Sequence, residues 1–184
     1  MVTKLEMLEN DYYSLSDSEL EVLFIVDDRP ILRTRLQKIA LLYSKLYGKD
    51  DTHRDYLFGG FSDEVEESSD SLVDKGIILE TSKGYVITKY GRKLKDLLVK
   101  GLEESEDLTV GIPNIKKAVS GLSDKSIIGL TYHFFEETTA NSGIRGDVKR
   151  YNDESYYDGK KLDQMTKDAF MEKLMKGIEI RRGA

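Results

Sequence analysis

The fold is decided by residues 59–78, which read GGFSDEVEESSDSLVDKGII. The glycine pair predicts a turn, Ser62 is a favourable helix N-cap, and Gly76 marks the end of the helix. Between these signals lie six acidic residues and one lysine. The two isoleucines that follow begin a β-branched run, which is typical of a strand. The stretch therefore predicts a turn, a strongly acidic helix and the first strand of a hairpin.

Two helices are predicted before this stretch. Ser16 begins a capping box with Glu19, so helix one starts there. Apolar residues recur at helical spacing over residues 32–47, which predicts helix two, and Gly48 ends it as a left-handed cap. Residues 56–58 form a short strand candidate between helix two and the acidic helix.

A hairpin and a fourth helix are predicted after it. The β-branched and aromatic runs at 77–80 and 85–88 are joined by a turn at 82–84, and a helix follows from Lys89 to about Glu104. Helix, helix, short strand, helix and hairpin is the order of a winged helix-turn-helix domain. The predicted fold class is mainly α with a small β-hairpin (α+β), the winged-helix domain covering residues 12–104.

The remaining residues, 105–184, are predicted to form a helical extension. Helices are expected at 112–120 and after the N-cap Ser123, and a polar segment at 138–161 reads as a mobile arm. The last helix, 162–178, carries an apolar stripe that must be buried on the same chain or against a second copy. A homodimer through this helix is the expectation, by analogy with other regulators of this fold.

The composition narrows the class of protein. The chain has 184 residues, of which 39% are hydrophobic and 34% charged, and it has no cysteine. The absence of cysteine excludes thiol catalysis and disulfides, and together with the high share of charged residues it predicts a soluble protein of a reducing, cytoplasmic compartment. No apolar run approaches the ~18 residues of a membrane span, so no membrane partner is expected. The net charge of −6 argues against indiscriminate coating of nucleic acid.

No set of residues in the sequence predicts catalysis. The two histidines, His53 and His133, have no neighbours with the spacing of metal ligands. No Ser/His/Asp arrangement around a Gly-x-Ser-x-Gly elbow is present. We therefore expect a non-enzymatic protein with no cofactor, no metal and no catalytic residues.

Three segments together resemble a winged-helix family of archaea and bacteria. They are TRLQKIALL at 34–42, the stretch at 59–78, and YVITKYGR at 85–92. The family, related to the SocA-like (Panacea) antitoxin domain, pairs a T-R/K-L-Q-K helix with a G-P-F/Y-S turn, an acidic helix and a wing that ends T-x-x-G. The likeness covers residues 16–100, and Gly60 replaces the family's proline. It implies a winged-helix fold without catalysis, and in the antitoxin relatives the domain neutralises or delivers a partner protein.

One group of basic residues is predicted to contact the DNA backbone. These residues lie around the start of helix two, at the hairpin tip and just after the hairpin, where cations can contact phosphates. The alternative is an ordinary charged surface, because acids are interleaved with them. The candidates are Arg29, Arg33, Arg35, Lys38, Lys83, Lys89, Arg92 and Lys93.

The acidic helix is the second candidate site. Its charge would be repelled by a duplex that carries one negative charge per ~1.7 Å of axis, so it is suited instead to a basic protein partner. The alternative is a solvated helix whose first-turn acids complement the helix dipole. The candidate residues are Asp63, Glu64, Glu66, Glu67, Asp70 and Asp74.

Two binding functions follow from these surfaces. The first is a DNA-binding transcription regulator that uses the hairpin and the bases of helix two. The second is an antitoxin-like or adaptor-like module that uses the acidic helix. The frequency of the fold places the first marginally ahead, whereas the charge favours the second.

Overall fold

The computed structural model describes residues 10–11, 13–49, 52–54, 60–101, 106–138, 156–157, 160–161 and 165–180. These residues are mainly helical, with two short antiparallel strand pairs. The predicted fold class, mainly α with a small hairpin, is confirmed at this level. No helix in the described ranges is both long and apolar enough to cross a membrane.

The first two helices begin and end close to the predicted residues. Helix α1 spans Asp17–Ile25, and both hydrogen bonds of the capping box between Ser16 and Glu19 are formed. Helix α2 spans Arg33–Tyr47 and ends at Gly48 in the left-handed conformation. Most of α2 is buried, so it forms the centre of the domain.

Helix α3, the predicted acidic helix, spans Asp63–Asp74. The hydroxyl of Ser62 accepts a hydrogen bond from the backbone N–H of Val65, which confirms the predicted N-cap. The strand predicted at 56–58 lies outside the described residues. Before α3, the backbones of Arg54 and Phe61 form an antiparallel bridge.

The hairpin follows α3 directly. Strand β1 is Ile78–Thr81 and strand β2 is Gly84–Ile87, with Ile78 opposite Ile87. Ile31 adds a one-residue bridge to Tyr85, with both backbone hydrogen bonds at 2.9 Å. Gly84 allows the backbone of Ile31 to lie this close to the hairpin. Its φ is +110°, and a Cβ at this position would lie 2.1 Å from the carbonyl oxygen of Ile31.

Helix α4 spans Lys89–Gly101 and packs closely against the hairpin. The hydroxyl of Thr88 donates to the carbonyl groups of Gly76 and Ile77 and accepts from the N–H of Gly91. A Cβ on Gly91 would lie 2.1 Å from the carbonyl oxygen of Ile77. The Thr-x-x-Gly pattern therefore holds the start of α4 against the hairpin.

The C-terminal part adds further short elements. They are a π-helical turn Asp107–Gly111, α5 Ile112–Ala118, α6 Asp124–Phe134, a 3-10 turn Glu136–Thr138, β3 Tyr156–Tyr157, β4 Lys160–Lys161 and α7 Lys167–Lys176. The predicted N-cap at Ser123 is confirmed, because its hydroxyl accepts from the N–H of Ser126. The segment predicted as an arm is described only at residues 138, 156–157 and 160–161, and the pair β3–β4 lies within it.

Helix α7 packs on its own chain. Phe170 and Leu174 are buried, and the Phe170 ring stacks on Phe134 with 4.4 Å between centroids. The apolar stripe that was expected to form a homodimer is therefore largely covered. Met175 is 51% exposed and Ile178 is 44% exposed, and both remain on the outside.

One core joins the predicted domain to the extension. Buried side chains from Val22 to Ile180 form a single cluster. A polar contact supports the join: Lys95 of α4 and Lys116 of α5 both donate to the carboxylate of Asp27, just after α1. The two lysines also donate to Phe24 O, near the α1 C-terminus, where cations are favourable.

Candidate functional site

The amide side chain of Gln37 anchors the start of α3. Its Nε2 donates to the carbonyl of Ser62 at 3.0 Å, and its Oε1 accepts from the N–H of Ser62 at 3.0 Å. Both residues are buried. Buried polar groups require hydrogen-bond partners, and this one side chain of α2 satisfies two buried backbone groups where the acidic helix begins.

Lys38, the next residue, is also turned inward. It is 2% exposed, and its ammonium group donates to the carbonyl of Gly60 at 3.0 Å. Burial lowers the pKa of Lys38 to about 7. Lys38 was a candidate for DNA contact, and its burial is the reason that this assignment is wrong for the fold described here.

Arg35 joins α2 to the C-terminal part. Its guanidinium donates to the carbonyls of Val119 (2.7 Å) and Leu122 (2.9 Å) and pairs with Asp124 at 3.0 Å. The five N–H donors of arginine suit such a multiple contact. Because these interactions occupy the guanidinium, the assignment of Arg35 to DNA contact is also corrected to a structural role.

Two further basic candidates are exposed but paired with acids. Arg33 lies 2.6 Å from Glu66 and 3.7 Å from Glu80, and its Nη2 donates to the hydroxyl of Tyr85. Arg92 pairs with Asp28. These pairs reduce the positive potential that either arginine presents to a phosphate.

Four basic candidates are left as exposed cations: Arg29, Lys83, Lys89 and Lys93. No carboxylate in the described part of the chain forms an ion pair with any of them. They lie in the loop before α2, at the hairpin tip and in the first turns of α4. The eight predicted basic residues therefore do not form one uniform surface.

The acids of α3 form a stripe along the outside of the helix. Asp63, Glu67, Asp70 and Asp74 are spaced by four, three and four residues, so they share one face about 16 Å long. We call these four residues the acidic stripe. All four are exposed, whereas Val65, Ser68, Ser69 and Leu72 on the opposite face are buried.

Most of the acidic stripe carries uncompensated charge. Arg54 pairs with Asp63 at 2.6 Å. Within the described residues, no basic group pairs with Glu67, Asp70 or Asp74. Like charges three or four residues apart destabilise a helix by about 0.2–0.5 kcal/mol per pair.

The two other candidate acids of α3 flank the acidic stripe. Glu64 is exposed and faces a cavity beside α1, whereas Glu66 is half-buried next to Arg33. The pKa of Glu66 is raised mainly by burial; Arg33 opposes this rise, and the charges of Asp70 and Glu80 add to it.

A cavity of about 490 Å³ lies between α1, the end of α2, the start of α3 and residues 107–108. Glu21 projects from α1 into its lining, and burial together with the charge of Glu64 raises the pKa of Glu21 to about 8. No motif pointed to Glu21, because its surroundings are assembled from five separate segments. Gln37 was missed for the same reason.

The described residues contain no group of three histidines, aspartates or glutamates that could hold a metal ion. His133 is half-buried on α6, with its ring edge against Phe134 at 4.7 Å between centroids. This histidine therefore packs against an aromatic ring on its own helix.

Comparison with protein-family models, curated proteins and solved structures finds no match for this chain. The resemblance to the SocA-like winged-helix family stays a prediction from three sequence segments.

Proposed function

We propose that this chain is a non-enzymatic winged-helix module that binds a basic protein segment along the acidic stripe of α3. The element order α1, α2, α3, β1, β2 supports the winged-helix part of the proposal. The one-residue backbone bridge between Ile31 and Tyr85 lies beside the hairpin and is consistent with this fold. The sequence expectation had placed DNA binding marginally ahead, and the disposition of charge reverses that order.

The observation that carries the proposal is the direction of the charges. The acids at positions 67, 70 and 74 point outward without counter-ions among the described residues, while Arg35 and Lys38 point inward. Asp74 moreover occupies the last position of α3, where the helix dipole disfavours an acid, and no base lies in that turn. Helix stability therefore does not account for the acids at positions 67, 70 and 74, whereas a positively charged partner would relieve their repulsion.

The test uses the intact chain and two charge-matched double variants. Glu67→Lys/Asp70→Lys reverses the acidic stripe, and Asp96→Lys/Glu106→Lys changes the same charge at exposed positions outside α3. Proteins that co-purify from source cells are identified, and the binding of each purified partner is then measured by anisotropy. We expect a partner with a basic segment whose Kd rises at least about tenfold with the stripe variant, equivalent to about 1.4 kcal/mol.

The control variant should bind that partner as the wild type does. If both variants weakened binding equally, the effect would come from the net charge of the protein and not from the acidic stripe. If the stripe variant bound the partner as the wild type does, the proposal would be refuted. The salt dependence provides a second readout, since contacts between exposed charges weaken as ionic strength rises.

A second function, binding to the DNA backbone, is supported by the exposed cations at Arg29, Lys83, Lys89 and Lys93, which form no ion pair with the described acids. Hairpin and helix-start cations can contact phosphates without α3 entering a groove. A duplex of about 30 base pairs should then bind at about 50 mM salt and weaken steeply at about 200 mM. Lys83→Glu should abolish this binding, while Lys125→Glu on α6 should not; absence of duplex binding at low salt would exclude this function.

One substitution separates the two functions by the sign of its effect. Arg33 is an exposed cation beside Glu66 and Glu80. Arg33→Gln should strengthen binding of a basic protein segment, because it removes a repulsive charge next to α3. The same substitution should weaken DNA binding, because it removes a cation near the hairpin. Anisotropy with the two ligands measures both effects on one variant.

A further inference from the structure

The cavity beside α1 has the size of a ligand site. Its volume of about 490 Å³ falls in the range of about 300–1,000 Å³ that is usual for small-molecule pockets. Helix α1 forms one wall, the end of α2 forms another, and residues 52–53, 64–65 and 107–108 complete it. It is separate from the acidic stripe, because Glu64 and Val65 lie on other faces of α3.

Glu21 gives this cavity an unsatisfied acceptor. Its Oε1 is buried, and no donor in the described part of the chain lies within hydrogen-bonding distance of it. A buried acceptor without a donor costs about 1–3 kcal/mol, and native structures seldom retain one without a reason. The position of Glu21 on the cavity lining makes a bound donor the simplest means of satisfying it.

The charges around Glu21 leave the cavity negative. Asp17 of α1, Glu64 of α3 and Asp107 line it as carboxylates, and Lys49 lies 2.5 Å from Asp107. Asp107 also accepts a hydrogen bond from the hydroxyl of Tyr43 on α2 at 2.9 Å. Lys49 is thus paired with Asp107, and the carboxylate that mainly neutralises the lysine charge is Asp107 rather than Glu21.

We propose that this cavity binds a small organic cation, an alkylammonium or guanidinium compound whose N–H groups donate to Glu21. Directed N–H donors suit one buried carboxylate oxygen, whereas no three described acids or histidines are arranged to hold a metal ion. An anion is disfavoured by the three carboxylates of Asp17, Glu64 and Asp107. The site is independent of the docking function assigned to the acidic stripe.

The protonation of Glu21 gives the proposal a measurable signature. Burial, together with the charge of Glu64, raises the pKa of Glu21 to about 8, and Lys49 opposes this. Tyr43, His53, Asp17 and Asp107 are the other titratable groups on the lining. A cation favours the ionised carboxylate, so binding at neutral pH releases a proton, and affinity rises about tenfold per pH unit until about pH 8.

The experiment is calorimetric titration of the full chain with putrescine and with agmatine. At pH 7, titrations in two buffers with different ionisation enthalpies give the number of protons released. We expect saturable binding with release of close to one proton, a Kd that falls between pH 6 and pH 8, and no binding of the neutral analogue 1,4-butanediol. Absence of amine binding at millimolar concentration, or equal binding of the diol, would overturn the assignment.

Two variants test the residue. Glu21→Gln keeps the side-chain shape and should weaken amine binding at pH 8 at least tenfold while abolishing proton release. Glu67→Gln, on the acidic stripe, should leave both unchanged; loss of amine binding in this variant instead would move the site to the stripe and refute the proposal. If Glu21→Gln does not fold, the proton release of the wild type decides the question alone. The two proposals can fail independently, because stripe variants test binding of the protein partner and Glu21→Gln tests binding of the amine.

Discussion

Helices α2 and α3 are both rich in charged residues, yet they use those residues in opposite ways. In α2, Arg35 and Lys38 donate to backbone carbonyls of other segments, and their charges are withdrawn from the surface. In α3, the acidic stripe faces outward, opposite a buried face of Val65, Ser68, Ser69 and Leu72. Charge at a helical position therefore does not by itself identify a binding surface, because a long basic side chain can reach a carbonyl oxygen inside the fold.

The largest expected effect tests the inward direction of Lys38. Its pKa of about 7 lies below the ordinary 10.5, so between these values the unfolded chain binds a proton that the folded chain does not. The free energy of unfolding should therefore rise with pH in this window, approaching about 1.4 kcal/mol per pH unit and totalling about 2.3 kcal/mol from pH 7 to pH 9. Urea unfolding of wild type and Lys38→Met checks this, since the variant should lack this increment. If the free energies of unfolding of the two proteins changed with pH in parallel, the ammonium group of Lys38 would have to be exposed to solvent.

The next effect concerns the anchor between α2 and α3. Gln37→Ala should lower the free energy of unfolding by about 2 kcal/mol or more, because it leaves the buried N–H and carbonyl of Ser62 without partners. Glu67→Ala on the acidic stripe is the control and should stay within about 0.5 kcal/mol. Chemical denaturation measures both variants. If both variants lowered the free energy of unfolding by the same small amount, the contrast between an inward-facing α2 and an outward-facing α3 would not hold.

Arg35 and Arg92 offer a matched pair of arginines. Arg35→Gln should cost about 1.5–2 kcal/mol, since it disrupts contacts to Val119, Leu122 and Asp124. Arg92→Gln removes an exposed pair with Asp28 and should cost less than about 1 kcal/mol. The two values come from thermal or denaturant unfolding. The order of the two costs is the result that matters, and its reversal would contradict the structural role of Arg35.

The smallest effect tests the outward direction of α3. Asp74→Lys should stabilise the protein by about 0.5 kcal/mol, because it removes repulsion with Asp70 and places a cation at the helix C-terminus. Asp96→Lys on α4 provides a control with the same charge change. A clear loss of stability for Asp74→Lys alone would indicate that Asp74 already has a stabilising partner, which would weaken the binding proposal.

The elements that local chemistry specifies were predictable. The capping box at Ser16, the end of α2 at Gly48, the N-cap at Ser62 and the hairpin each depend on a few neighbouring residues, and all four are confirmed. The acidic stripe was foreseeable for the same reason, because helical period alone places its members on one face.

Features that need distant segments were not predictable. The bridge from Ile31 to Tyr85 joins residues far apart in sequence, as does the contact of Lys38 with Gly60. The predicted start of the last helix at residue 162 was wrong for a different reason: the local cap at Thr166, which begins the helix at Lys167, was missed. The unsatisfied carboxylate of Glu21 depends on five segments meeting around one cavity.

The order of residues alone determined which stretches become helices and, for α1, α2 and α3, where they begin, because caps, glycines and apolar spacing act over three or four positions. It also determined that α3 would be negative. The tertiary structure decided which charges remain outside: Arg35 and Lys38 are satisfied by carbonyl groups brought to them by folding, whereas no described cation is brought to Glu67, Asp70 or Asp74. The reason is that a charge is neutralised by its neighbours in space, and those neighbours are set by packing.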